Sequence, residues 1–303
     1  MRRFLFVATL VLSVFSFSQT KPATTQAAEK AASTAHGDEA FVVEQLRNSY
    51  RFETNGTGKH EVYAKIRVQS EAGVQQWGQV VVGYNSASES IEIPYLRVLK
   101  KEGATVTAPA DAIQDLSTPI EREAPVYTDF RQKHITVPGL RPGDTLEYDV
   151  LRVIHTPLAP GQFWMEHDFD THNIVLEEHL EVDVPKERAV KLKTNPGIDP
   201  NISEANGRRT YKWASNHLER EEDIDKKEKK KKKNRSDEPE PPAIQMSSFA
   251  SWEELGLWYA GLERDRRLPT AEVKNKADEL TKGLRNALEK TEALYDYVAK
   301  NFR

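Results

Sequence analysis

Cysteine is missing from all 303 residues, which excludes disulfides, thiolate metal sites and any cysteine nucleophile within them. Positive charge is not in excess either. Lys and Arg number 43 against 47 Asp and Glu, for a net charge of −4, so bulk charge does not point to nucleic acid. The apolar run at Phe4–Phe17, about fourteen residues long, is too short to span a bilayer comfortably. A serine-hydrolase elbow, a Walker loop, a dinucleotide fingerprint and a zincin helix are all absent. Internal repeats are absent too, and no carboxylate pair stands out for glycoside chemistry.

What the chain does have is alternation. In Val137–Ile154, the turn signals Pro138-Gly139 and Pro142-Gly143-Asp144 precede Leu146, Tyr148 and Val150, which alternate with Thr145, Glu147 and Asp149. That period of two predicts a strand with one buried face. The apolar phase slips after Val150, which suggests a bulge or a strand buried on both faces. Phe41–Leu46 and Tyr50–Phe52 carry apolar residues without helical caps, Asn55-Gly56 is a hairpin signal, and Val62–Val68 is the return strand. Further strands are expected at Val80–Tyr84, Ile91–Leu99 with Pro94 at an edge or bulge, Thr105–Thr107, His134–Val137, Phe163–Phe169, Val190–Leu192 and Thr210–Trp213. Ile174–Val184 alternates most cleanly, with Glu178 the exception among its apolar positions. Glu71-Ala72-Gly73 reads as a turn, and Ala110–Pro125 as a connection with room for one helical turn. The fold class expected is mainly β, an antiparallel β-sandwich followed by an α-helical segment.

Residues 1–18 read as a signal peptide, with Arg2 and Arg3 before the apolar run, and 19–37 as a flexible spacer, so the protein is expected to be exported, to periplasm or medium. The sandwich is assigned 38–218. Residues 219–247 read as a charged linker or surface insertion, because seven lysines and one arginine fall within Lys226–Arg235 and acidic blocks flank them. Residues 248–303 read as three amphipathic helices, the first opened by the capping box Ser251-Trp252-Glu253-Glu254. Helices of that kind need a surface to pack on.

The order of these pieces resembles a bacterial exported family in which the domain of unknown function DUF3857 precedes a transglutaminase-like domain. The residues that carry the resemblance are Asn55-Gly56, Gly139-Leu140-Arg141-Pro142-Gly143-Asp144, Val184-Pro185, Ser251-Trp252-Glu253-Glu254, Ala293–Val298 and Asn301-Phe302-Arg303. The resemblance implies a Cys-His-Asp site in the second domain, with the cysteine beyond Arg303. The chain is therefore expected to be a fragment that is inert in acyl transfer, a non-catalytic accessory module with no catalytic residue, cofactor or metal of its own. Its expected partners are the downstream transglutaminase-like domain or envelope protein or peptide. Neither nucleic acid nor a membrane span after signal removal is expected.

Two other readings compete. One is a freestanding envelope module that binds protein, peptide or glycan. The other is a metal-dependent hydrolase built on His167–His172, where Asp168, Asp170 and His172 would share one face if the segment were a strand. The plainer account of that cluster is a polar sheet face beside a loop. Trp252 and Trp258 could stack on a ligand, although aromatics on an amphipathic helix usually belong to a core.

Overall fold

The computed structural model describes residues 36–117, 129–219, 241–264 and 267–302. The signal peptide, nearly all of the spacer and the lysine-rich block lie outside the described residues. Strands dominate. They are β1 (Phe41–Phe52), β2 (Gly58–Val68), β3 (Gln79–Asn85), β4 (Glu89–Leu99), β5 (Thr105–Thr107), β6 (Ile113–Ser117), β7 (Phe130–Thr136) and β8 (Thr145–Ile154). Then follow β9 (Trp164–His167), β10 (Val175–Pro185), β11 (Lys191–Thr194), β12 (Asn201–Ala205), β13 (Arg208–His217) and β14 (Ile244–Ser247). The helices are α1 (Glu71–Trp77), α2 (Trp252–Arg264), α3 (Ala271–Thr281) and α4 (Ala287–Asn301).

One eight-stranded sheet, in the order β12-β13-β10-β1-β2-β8-β4-β5, forms a complete layer. All of its pairs are antiparallel except β1 with β10, which is parallel. The sheet is therefore mixed, where antiparallel pairing throughout was expected. Register tells which side chains share a face. Phe41 and Val43 lie beside Val68 and Ile66, and Leu46, Asn48, Tyr50 and Phe52 lie beside Ala64, Val62, His60 and Gly58. The even-numbered positions of β2 thus mark a single inner face.

Two three-stranded sheets, β3-β7-β6 and β11-β14-β9, cover that same face side by side. Val80 and Ile135 of the first pack with Ile66, Val98 and Leu146. Met165, Ile244 and Met246 of the second pack with Phe52, Leu180, Val182 and Trp213. The opposite face of the large sheet is wetted, as the charged positions interleaved on β2, β8 and β10 require.

The local signals act as physical chemistry predicts. Gly56 turns the first hairpin at φ +86, and a Cβ there would sit 2.6 Å from the carbonyl oxygen of Gln162, so only glycine fits. In the turn before β8, Asp144 is buried and accepts from Lys100 Nζ at 2.7 Å and from the Arg141 amide at 2.9 Å. Burial raises the Asp144 carboxyl, but those hydrogen bonds and the Lys100 charge hold it below the usual carboxylate range.

Several expectations need correction. Glu71–Gly73 opens the short helix α1, because Ser70 caps it by accepting from the Gly73 amide at 3.3 Å. The assigned connection at 110–125 holds the helical turn it had room for, of 3-10 type, but also β6, which pairs with β7; 118–128 lie outside the described residues. The slip after Val150 is not a bulge in β8, which pairs with β2 without a shift. The irregularity lies across the ladder in β4, between Glu92 and Tyr95, where Pro94 has no N–H to donate. Strand β12 falls in a stretch given no element. The charged linker ends too late, since Ile244–Ser247 is the central strand of the β11-β14-β9 sheet.

Candidate functional site

Between the two cores the inner face turns polar. His60 on β2 stacks on Tyr50, with centroids 3.8 Å apart and planes 8° from parallel, and its Nε2 lies 3.1 Å from Asn48 Oδ1. Burial, then the nearby charges of Arg152 and His167, push His60 down to about 3, so its ring is neutral at ordinary pH. Burial likewise pushes the Tyr50 hydroxyl up to about 12. Arg152 on β8 donates to Glu89 Oε2 at 2.7 Å and to the Gly83 carbonyl at 2.8 Å. On the far side, His167 Nε2 lies 3.6 Å from Oε1 of Glu178, a carboxylate only 2% exposed. Glu178 Oε2 accepts from the Asp170 amide at 3.0 Å.

A histidine beside a buried carboxylate is two thirds of a nucleophilic triad. Among the described residues, however, no hydroxyl hydrogen-bonds either ring nitrogen of His167. The seam is a structural polar contact between two cores.

The metal candidates take other work. Strand β9 stops at His167, so the alternation that would align Asp168, Asp170 and His172 does not exist. Asp168 Oδ1 accepts from the Ala243 amide at 2.7 Å and tethers β14. Asp170 Oδ1 accepts from the amides of His172 and Asn173 at 2.9 and 3.0 Å, closing an Asx turn before β10. Burial raises the Asp170 carboxyl, and the Asn173 and His172 hydrogen bonds pull it below its ordinary value. The His172 side chain is exposed. His179 Nε2 sits 2.6 Å from Glu177 Oε1 on the wetted face.

A groove lies where α2 crosses the outer face of the β11-β14-β9 sheet. Its volume is about 460 Å³. The pairing register places Lys191, Ser247 and Trp164 in one row across the floor, and Lys193, Gln245 and Glu166 in the next. Trp252 and Leu255 of α2 form the wall. The helix is held by its capping box: the Glu254 amide donates to Ser251 Oγ at 3.2 Å, and Glu254 Oε2 accepts from the Ala250 amide at 2.6 Å. Gln162 ties it to the sandwich, since its Nε2 donates to Glu254 Oε1 at 2.8 Å while its Oε1 accepts from Ser248 Oγ at 2.6 Å. Trp258 packs with Trp164 and Phe249 at centroid distances of 6.2 and 5.9 Å.

Of the two tryptophans weighed from sequence, Trp258 joins an aromatic cluster and Trp252 is 83% exposed. Sequence reasoning missed the groove, because nothing local announces that a helix will cross a sheet formed by three distant strands. It also missed the seam, although Glu178 in the apolar phase of β10 was a visible signal.

The comparisons with known proteins agree with this architecture. The family model described as "Domain of Unknown Function with solved-structure structure (DUF3857)" matches residues 54–221. A solved structure from Parabacteroides distasonis, described as a "putative protease", shares 16% identity at a TM-score of 0.67, over 87% of this chain and 50% of that one. The present chain thus spans about half that protein's length, and likeness at such identity shows the fold alone. An M1 zinc metallopeptidase from Deinococcus radiodurans overlaps at 11% identity and a TM-score of 0.33, over 58% of this chain and 39% of that one, too weakly to carry an argument. No curated protein matches the chain.

Proposed function

We propose that this chain, which belongs to the DUF3857 family, works as an exported, non-catalytic β module that positions substrate for a transglutaminase-like domain following it. The observation that carries this reading is the state of the helices. None of α2, α3 and α4 contains a buried residue. Leu257, Val273, Leu288, Tyr295 and Val298, on amphipathic helices, and Phe302, which caps α4, are all exposed. Apolar stripes of this kind are stable only against another surface, and a thiol acyltransferase or protease-like domain is the surface that fits their place after the sandwich. The protease description of the Parabacteroides protein is compatible with that. Acyl transfer by these 303 residues alone has no cysteine to use. Among the described residues no helix is long and apolar enough to cross a membrane.

The test compares the chain with a version extended past Arg303 by whatever coding sequence follows it in the gene. The expected result is incorporation of dansylcadaverine into casein, or casein hydrolysis, by the extended version and not by the chain, with slower amide exchange over 252–302 in the extended version. A stop codon directly after Arg303, turnover by the chain alone, or helices equally exposed in both proteins would overturn the reading.

A further inference from the structure

We propose that the groove between α2 and the β11-β14-β9 sheet is a docking site for an extended acidic peptide. This deepens the substrate-positioning reading and rests on it. Lys191 and Lys193 project from alternate positions of β11 onto the outer face of the sheet. Neither carries an ion pair among the described residues, whereas the lysines and arginines of the large sheet's wetted face are mostly engaged with carboxylates.

The Glu253 carboxyl at the start of α2, outside the groove lining, is held below its ordinary value, first by the Ser251 hydroxyl and also by Lys191. Two lysines against Glu166 leave the lining with a net charge of +1. Beside them Trp164, Trp252 and Leu255 present apolar surface that is partly open to solvent.

A cation row adjoining an indole wall fits a ligand with a carboxylate next to an apolar side chain. A neutral glycan would stack on the tryptophans and leave both ammonium groups unused. The groove has the size of a site for a few side chains. Strand β11 is also an edge strand of its sheet, so an extended chain can add to it by backbone pairing.

The experiment is fluorescence anisotropy of the full chain with a fluorescein-labelled peptide of alternating Glu and Leu, beside a counterpart of alternating Lys and Leu. The acidic peptide is expected to bind and the basic one not. The double variant Lys191→Glu/Lys193→Glu should weaken binding at least about tenfold, since both charges turn from attractive to repulsive for an acidic ligand. Trp252→Ala, at a solvent-exposed position, should weaken it about three- to tenfold. Raising the salt to about 0.5 M should weaken it further. No binding of the acidic peptide, equal binding of the basic one, or affinity unchanged in the double variant would overturn the proposal. The module reading is judged separately, by activity of the extended version and by helix protection. An extended version that is active and protected beside a chain that ignores acidic peptide would remove the groove and leave the module standing.

Discussion

The β layers and the C-terminal helices are built from similar fractions of apolar side chains and end in opposite states. In the sandwich, Phe52, Ile66, Leu146, Leu180 and Ile244 are among the largest fully buried side chains, and the buried Asp144 has its lysine. In α3 and α4, apolar residues at equally regular spacing face water, with Tyr295 71% exposed. The difference lies in closure. The eight-stranded sheet finds its second layer within the same described residues, in six short strands that meet its inner face. Among the described residues, α3 and α4 pack on each other, and α2 is tied to the sandwich through Gln162 and through Trp258 against Trp164 and Phe249. Periodicity specifies which face wants burial; it does not supply the partner.

Substitutions can break this contrast, and the largest effect belongs to the sandwich. Phe52→Ala should cost about 3–5 kcal/mol, by lost transfer energy plus a cavity, read as a lower denaturant midpoint. Lys100→Met, which strands the buried Asp144 carboxylate, should cost about 3 kcal/mol.

Acid should act next. Folded His60 takes up its proton only near pH 3, and the unfolded residue does so from about pH 6.5. Unfolding therefore binds a proton between those values, and stability falls with pH across that window by about 1.4 kcal/mol per unit from this residue. Its contribution is fully present above pH 6.5. His60→Gln should flatten the slope between pH 6 and pH 4 in denaturant titrations, and an unchanged slope would count against the buried seam.

Ser251→Ala, which removes the cap of α2, should cost about 1 kcal/mol of local helix stability and be seen as faster exchange near Trp252. Leu288→Ser on α4 should change global stability by less than about 0.5 kcal/mol. A loss there comparable to Phe52→Ala would erase the distinction between the two regions.

Much of the fold was legible because each signal was local. Asn55-Gly56, the alternation of β2 and β10, and Pro142-Gly143-Asp144 before β8 each act within about ten residues. What escaped was decided at long range. Strand β14 is four residues after a charged run, and it is a strand because β9 and β11 lie ready on either side. The parallel pairing of β1 with β10 joins segments more than a hundred residues apart. Asp168, Asp170 and His172 resembled ligands by spacing, yet their environment is a turn, where carboxylates cap backbone amides. The exposed stripes of the helices were legible as amphipathic, and their need for a covering surface was read from sequence alone.

The central claim is that the strands bury their apolar face between two layers while the apolar faces of α3 and α4 are exposed. Amide hydrogen exchange on the isolated chain tests it most directly. The account predicts protection near the global unfolding free energy in β1, β2, β8 and β10, and exchange within minutes throughout α3 and α4. Equal protection in strands and helices would contradict it.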